Sequence, residues 1–234
     1  MKLTHILAAT ALTAVSGSAL ALPTLDTILG TGPSLTSSGS EYFNLVDTDG
    51  NSDDFFATIV LEQAAYESNM GIYEFTTDAA GNVTVTDSLQ IFSASNEPGI
   101  LTGSQTVNFD LANGIAFLDD DGVFGYSAGD SQATIDGSFG FYLNVVNTGH
   151  TYYSHNSLNA DGFDHLAVFE TLGQGGATNS FDLVLAWEDL NNGGDQDYTD
   201  MVIVANDIAV SEPATFLMLG LGLVGLGFAR KKRA

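Results

Sequence analysis

The chain has 234 residues with 29 Asp and Glu against 5 Lys and Arg, a formal charge of −24, and no cysteine. All five basic residues lie near the ends, so residues 22–210 carry 28 acidic side chains and no Lys or Arg. Such a body cannot bind nucleic-acid phosphates or anionic lipid by charge, and it can form no disulfide or thiolate metal site. Its length suffices for one large domain with a packed core.

Residues 1–21 have the layout of a secretory signal. Lys2 precedes an apolar run at 6–15, and Ala19 and Ala21 match the small-x-small pattern that signal peptidase cleaves. The run is shorter than the roughly 20 apolar residues of a membrane-spanning helix. We therefore expect export of a mature chain that starts at Leu22.

Residues 22–210 contain short β-branched and aromatic runs separated by Asn, Asp, Gly and Ser, which is typical of strands joined by turns. The predicted strands cover residues 55–61, 71–75, 83–86, 89–92, 105–109, 114–118, 131–135, 139–145, 165–169, 181–187 and 201–205. Residues 61–68 are the one helix-like stretch, and residues 22–39 resemble a loose lead-in. We predict one all-β domain, an antiparallel jelly-roll-like β-sandwich, with an N-terminal signal helix before it and a C-terminal apolar sorting helix after it.

The sharpest cluster of candidate ligands lies between the last two predicted strands. It contains five carboxylates and one amide: Glu188, Asp189, Asn191, Asp195, Asp197 and Asp200. Two carboxylates about 4–5 Å apart repel by roughly 3–4 kcal/mol at an effective dielectric constant near 20. Calcium takes about six to eight oxygen ligands in flexible geometry, whereas magnesium is stricter and zinc prefers Cys and His. The loop therefore favours calcium, and the alternative is a solvated acidic hairpin loop whose carboxylates cap their own turns.

Two other acidic clusters are weaker candidates for calcium. Asp47, Asp49 and Asp53 are separated by other residues, but Gly50 is fourth in this run, whereas an EF-hand loop has its glycine sixth. Asp119 and Asp121 form a similar short cluster. Both clusters are otherwise explained as exposed turns.

The end of the chain, residues 211–234, is a separate unit. Ser211, Glu212 and Pro213 precede an apolar run at 216–229 and a basic cluster at 230–233. This layout resembles the PEP-CTERM tail of exosortase substrates in Gram-negative bacteria, with Ser211 in place of the usual first proline. The resemblance implies transient anchoring in the inner membrane through residues 216–229 and processing by an exosortase-type enzyme. The protein would then reach the cell surface or the extracellular (biofilm) matrix.

Residues 187–190 and 195–202 resemble the end of a domain of unknown function, number four-one-one-four. Residues 159–166 resemble a motif earlier in that domain, in which a His begins a strand, and residues 71–73 fit the early part of the domain. The resemblance spans about residues 50–208 and implies a secreted bacterial β-domain, often found beside calcium-binding modules. Thr199 stands where that family usually has Asn.

Enzymatic activity is not expected. Residues 125–129 match G-x-S-x-G around Ser127, but no predicted helix follows, as a nucleophile elbow requires. We expect His165 to donate to a strand-end carbonyl or a carboxylate rather than to act as a base. The sequence thus predicts a non-enzymatic, calcium-stabilised surface or matrix protein. The runner-up is a carbohydrate-binding module that contacts exopolysaccharide through Tyr152 and Tyr153.

Overall fold

A computed structural model describes residues 25, 29, 34–35, 41–46, 53–62, 66–93, 103–121, 125–170 and 181–211. The predicted signal segment, Asp47, Asp49 and the tail after Ser211 lie outside these residues. Within them the chain forms fourteen strands and two short 3-10 turns, Asn156–Leu158 and Asn191–Gly193. The strands are β1 Ser34–Leu35, β2 Phe43–Leu45, β3 Asp54–Glu62, β4 Ser68–Thr77, β5 Val83–Phe92, β6 Ser104–Asp110, β7 Ile115–Leu118, β8 Ser131–Thr134, β9 Ser138–Val145, β10 His150–Tyr153, β11 Leu166–Glu170, β12 Leu183–Trp187, β13 Met201–Asn206 and β14 Ile208–Val210.

The strands form two antiparallel sheets, so the all-β prediction is confirmed. The larger sheet has the order β1-β11-β12-β13-β3-β6-β7-β8. The smaller has the order β14-β2-β9-β4-β5, and β10 extends it by pairing with β9. Because β12 pairs with β13 and β13 pairs with β3, the strand that ends the acidic loop lies in the middle of the larger sheet.

Aromatic side chains from the two sheets meet in one core, which gives the molecule its sandwich form. Phe55 of the larger sheet stacks on Phe139 of the smaller at a centroid distance of 5.4 Å, and Phe109 lies 5.6 Å from the same ring. Along β9 the side chains of Phe139, Phe141, Leu143 and Val145 are fully buried, as their alternation with polar residues predicts. Offset and edge-to-face aromatic pairs contribute about 0.5–1.5 kcal/mol each beyond the area that they bury.

A second, smaller core covers the outer face of the larger sheet. It contains Val184, Val202 and Val204 from β12 and β13, together with Leu29, which is only 7 % exposed. Every residue of β12 is therefore buried, on both faces of its sheet. The prediction of a loose lead-in at residues 22–39 is wrong at Leu29 and at β1, which pairs with β11.

The predicted helix-like stretch at residues 61–68 is also wrong where it is described. Leu61 and Glu62 end β3, and Ser68 begins β4. The two strands predicted at 83–86 and 89–92 form the single strand β5, whose pairing with β4 is interrupted by register shifts. The polar residues between the two predicted segments therefore lie inside one long, irregular strand, although their sequence resembles that of a turn.

Candidate metal centre

The register of β12 and β13 places two acidic residues opposite each other. Trp187 pairs with Met201 at the end of this hairpin, so Glu188 and Asp200 are the first residues beyond the last pair. The backbone N–H of Asp189 donates to Oδ2 of Asp200 over 2.8 Å and closes the loop at its base. Strand pairing alone therefore brings acids that are 12 positions apart in sequence to one end of the sheet.

Two glycines let the loop fold back over Glu188. Gly193 and Gly194 have φ values of +74° and +39°, in the region that favours glycine. A Cβ on Gly193 would lie 2.1 Å from the Phe163 ring, and a Cβ on Gly194 would lie 2.4 Å from Oε1 of Glu188. Neither position has room for a side chain, because the loop packs directly against this ring and this carboxylate.

Glu188 is a fully buried carboxylate. The Asp200 carboxyl and the Leu190 backbone act on its charge, but among the described residues no group makes a hydrogen bond of ordinary geometry with its two oxygens. Burial, reinforced by the charges of Asp200 and Asp195, raises the pKa of Glu188 to about 7. Burial also raises the pKa of Asp200. The site holds more negative charge than the surrounding protein stabilises.

The acidic side chains form two groups that could each hold a metal ion. One contains Glu188, Asp195 and Asp197, the other contains Glu188, Asp189 and Asp200, and one oxygen from each member lies within 4.8 Å of the others. Oxygens that bind one calcium at about 2.3–2.6 Å lie at most about 5 Å apart, so each group fits one ion.

Two further residues of the loop, the predicted ligand Asn191 and Thr199, are not acidic. Asn191 is exposed on the turn, and its role as a ligand stays a prediction. Thr199 donates through its backbone N–H and its hydroxyl to Oδ1 of Asp197, over 2.9 and 2.7 Å. Thr199 thereby fixes the direction of a candidate ligand.

A buried histidine ties this loop to the segment before β11. Nδ1 of His165 lies 2.8 Å from the backbone oxygen of Glu188, and Nε2 lies 3.0 Å from Oδ2 of Asp161. The expected contacts of His165 with a carbonyl and a carboxylate are thus present. Burial acts to raise the pKa of Asp161, but hydrogen bonds from the backbone N–H groups of Asn192 and Phe163 and from His165 lower it to about 2. The sequence interpretation missed Asp161.

Tyr152 lies on the core side of this segment. Its side chain is 3 % exposed and stacks on His165 at a centroid distance of 3.6 Å. The prediction that Tyr152 contacts a glycan is therefore wrong, because its ring is covered by the protein. Tyr153, the next residue of β10, points to the opposite face and is half-buried.

The weaker acidic clusters have different outcomes. Asp119 and Asp121 form a third acidic group with Asp130, which the sequence interpretation did not include. Ser127 donates its hydroxyl to Asp121 and its backbone N–H to Asp130. The Ser127 hydroxyl is therefore engaged in a hydrogen bond within its own loop, whereas the serine of a nucleophile elbow is exposed at the end of a strand. Asp53 is exposed, and Asp47 and Asp49 lie outside the described residues.

Comparison with known proteins agrees with both resemblances. A family model described as Domain of unknown function (DUF4114) matches residues 122–206, and the model of the PEP-CTERM protein-sorting motif matches residues 209–233. The chain is thus similar to the DUF4114 domain over residues 122–206, called the DUF4114 region below, and to the PEP-CTERM motif directly after it. The DUF4114 region includes the whole acidic loop and Asp161, whereas residues 71–73 lie outside the match. No curated protein and no solved structure matches the chain.

The PEP-CTERM motif supports an exported protein that an exosortase system sorts in a Gram-negative bacterium. In the part of the chain that the structure describes, no helix is long and apolar enough to cross a membrane. The apolar run at residues 216–229 lies outside that part.

Proposed function

We propose that the chain is a non-enzymatic protein of the cell surface or extracellular matrix, and that calcium orders its DUF4114 region at the loop between β12 and β13. The carrying observation is Glu188, a fully buried carboxylate with no hydrogen-bond partner of ordinary geometry among the described residues. Four further acids surround it, and residues 22–210 contain no Lys or Arg that could neutralise them.

The energetics favour a bound cation over a merely solvated loop. Removing a carboxylate from water without a partner costs several kcal/mol, and the group either takes up a proton or acquires a counter-charge. Calcium supplies that counter-charge and accepts oxygen ligands in irregular geometry. Because calcium would bind only the folded loop, it stabilises the folded state by about 2.7 kcal/mol at 100 times its dissociation constant.

Thermal unfolding of the full-length chain in nonionic detergent tests this proposal. Millimolar calcium should raise the Tm by about 5–10 °C over calcium-stripped protein, given that about 1 kcal/mol shifts the Tm of a chain this size by about 2–4 °C. Glu188→Gln should abolish the response and, without calcium at pH 8, should melt above the unsubstituted protein because it buries no charge. Glu67→Gln, at an exposed position, should respond to calcium normally. Equal midpoints with and without calcium in the unsubstituted protein would refute the proposal.

A specific surface feature favours carbohydrate binding as the second candidate function. On the outer face of the smaller sheet, Tyr153, Tyr142, Gly71 and Gln90 form one cross-strand row through β10, β9, β4 and β5. The next row on this face contains Thr151, Asn144 and Asn69. A groove of about 220 Å³ lies over these rows, and its lining has no charged side chain.

The chemistry of this groove suits a neutral sugar. Tyrosine rings offer flat apolar faces to the C–H face of a pyranose, while amides and hydroxyls pair with sugar hydroxyls. Gly71 leaves room for the Tyr142 ring, because a Cβ there would lie 2.7 Å from that ring. An uncharged patch on so acidic a chain favours a neutral exopolysaccharide over an anionic one, which the remaining charge would repel.

A glycan array with the full-length chain tests the second candidate. We expect saturable binding of a neutral glycan, at least tenfold weaker in Tyr142→Ala and in Gln90→Ala. Tyr126→Ala is the matched control, since Tyr126 is a 43 % exposed tyrosine outside the groove. Binding that survives both groove substitutions, or an array without saturable binding, would reject this candidate and leave the structural role in place.

A further inference from the structure

We propose that the acidic loop holds two divalent cations and that the carboxylate of Glu188 bridges them. An inner cation would be bound by Glu188, Asp189 and Asp200, and an outer cation by Glu188, Asp195 and Asp197. This inference rests on the proposed calcium dependence of the loop, and it adds a second ion and a distinct role for Glu188.

The two acidic groups share only Glu188 and lie at different depths. Asp189 is 3 % exposed and Asp200 is half-buried, whereas Asp195 and Asp197 are exposed. Within each group one oxygen per residue lies within 4.8 Å of the others, which is the span of ligands around one calcium. Two ions side by side therefore account for the arrangement of all five acids.

Glu188 has two oxygens available for two ions. Both are inaccessible to solvent, and neither has a hydrogen-bond partner of ordinary geometry among the described residues. Oε1 lies 2.4 Å from the place that a Cβ on Gly194 would take, next to Asp195 in the chain. On this ground we assign Oε1 to the outer cation and Oε2 to the inner one. A carboxylate that served one ion through one oxygen would leave its second oxygen buried and unsatisfied.

The charge of the loop also favours more than one divalent ion. The five carboxylates of the loop carry a charge of −5 when ionised. One divalent cation leaves −3 within a partly buried site, whereas two leave −1. No Lys or Arg of residues 22–210 can contribute, and the nearby His165 is already engaged by Asp161 and the Glu188 carbonyl. The second ion brings the loop close to neutrality.

The difference in burial predicts a difference between the two ions. The inner ion, among buried oxygens, should keep few waters, whereas the outer ion, among exposed carboxylates, should complete its coordination shell with several. Trp187 is the chain's only tryptophan and directly precedes Glu188, so it can sensitise terbium in either position. Terbium luminescence lifetimes compared in H₂O and D₂O should then resolve two populations with different numbers of bound waters.

Equilibrium dialysis with radioactive calcium, on the full-length chain in nonionic detergent, tests the bridge. Calcium bound per chain is compared between the unsubstituted protein and each variant, so that ions held elsewhere cancel. Glu188→Gln should lose two ions, and the double variant D195N/D197N should lose one. Asp78→Asn, in an exposed turn outside the loop, should lose none. Trp187 fluorescence checks that each variant is folded.

The possible results separate this inference from the proposed function. A loss of two ions in Glu188→Gln and one in D195N/D197N supports the bridge. A loss of one ion in Glu188→Gln overturns the bridge but leaves a calcium-ordered loop. No loss in Glu188→Gln overturns both the bridge and the calcium dependence. Two terbium populations that both survive D195N/D197N would also contradict the assignment of the outer ion.

Discussion

Two buried titratable side chains, His155 and Glu188, act in opposite directions on stability. His155 is 5 % exposed, its Nδ1 lies 2.6 Å from the Tyr73 hydroxyl, and its ring packs against Phe75. Burial lowers the pKa of His155 from 6.5 to about 4. Burial and the neighbouring acids raise the pKa of Glu188 from 4.5 to about 7. The folded structure therefore favours the neutral imidazole of His155 and the protonated, neutral carboxyl of Glu188.

The pH dependence of unfolding should therefore change when calcium is present. Because the folded pKa of His155 is depressed, stability is lost as pH falls from about 6.5 to 4, by as much as about 3 kcal/mol. Because the folded pKa of Glu188 is raised, calcium-free stability is lost as pH rises from about 4.5 to 7. In urea unfolding, the stability of calcium-stripped protein should therefore rise less between about pH 5 and 6.5 than the His155 effect alone would give.

Saturating calcium keeps Glu188 ionised, so the stability of the calcium-loaded protein should climb over the same interval. Glu188→Gln without calcium should show that rise too, since it removes the opposing group. Identical pH profiles with and without calcium would contradict the assignment of these shifts.

A side chain at Gly193 should destabilise the fold more than one at Gly81. Gly193 and Gly81 have similar positive φ values, +74° and +88°, but only Gly193 is crowded, since nothing lies within 4 Å of a Cβ on Gly81. Gly81→Ala should cost about 1–2 kcal/mol from backbone strain alone. Gly193→Ala should cost about 1–3 kcal/mol more, because its methyl would overlap the Phe163 ring. Chemical denaturation of both variants measures the difference, and equal costs would mean that the loop does not pack on Phe163.

Among the secondary-structure elements, two antiparallel strand pairs carry the acidic clusters that the structure describes. Each cluster lies directly beyond the last residue pair, where the two strands separate, and this place is called an opening below. Trp187 pairs with Met201, and the acids Glu188 and Asp200 follow; Leu118 pairs with Ser131, and Asp119 and Asp130 follow. The sequence predicted all five acids of the first opening because they form one local run, but it predicted only Asp119 and Asp121 at the second. Asp130 was missed because its membership depends on register, which no local pattern reveals.

Asp161 illustrates the same limit. It lies 27 positions before Glu188 and reaches the site only because Leu166 of β11 pairs with Trp187 of β12. Long, strongly patterned strands such as β9 and β13 were predictable from alternation or from continuous apolar runs. The strands β1, β2, β10 and β14, which were not predicted, have two to four residues and show no periodicity in the sequence.

The apolar cluster around Leu29 covers the outer face of the larger sheet, and its contribution to the free energy of unfolding can be measured. Leu29 packs with Val184, Val202 and Val204, and it is 7 % exposed. Leu29→Ala should destabilise the fold by about 2–4 kcal/mol through lost burial and a cavity. Leu111→Ala, at a 43 % exposed leucine, should cost less than about 1 kcal/mol. Similar costs in urea unfolding would show that the segment around Leu29 does not contribute to the core.

For the whole molecule, self-repulsion is the dominant long-range interaction. The 28 acidic side chains of residues 22–210 face no Lys or Arg in that range. Raising NaCl from about 20 mM to about 500 mM shortens the screening length from roughly 20 Å to roughly 4 Å. The Tm of calcium-stripped protein should therefore rise with salt.

The response to salt should be equal in the unsubstituted protein and in Glu188→Gln, because screening acts on the whole surface and not on one site. That distinguishes it from the calcium response, which requires Glu188. A Tm that falls or stays constant with NaCl would show that repulsion among the acidic side chains does not destabilise the folded state.

Strand β14 leaves the sorting signal without a spacer. It ends at Val210, yet the PEP-CTERM match already begins at residue 209, and the Ser211 N–H still donates to the Tyr42 carbonyl oxygen over 2.8 Å. A peptidase needs its substrate as an extended, accessible strand. An exosortase-type enzyme that cut the chain beside Ser211 would first have to separate β14 from β2 at the sheet edge, so the stability of that edge would set how readily the motif is processed.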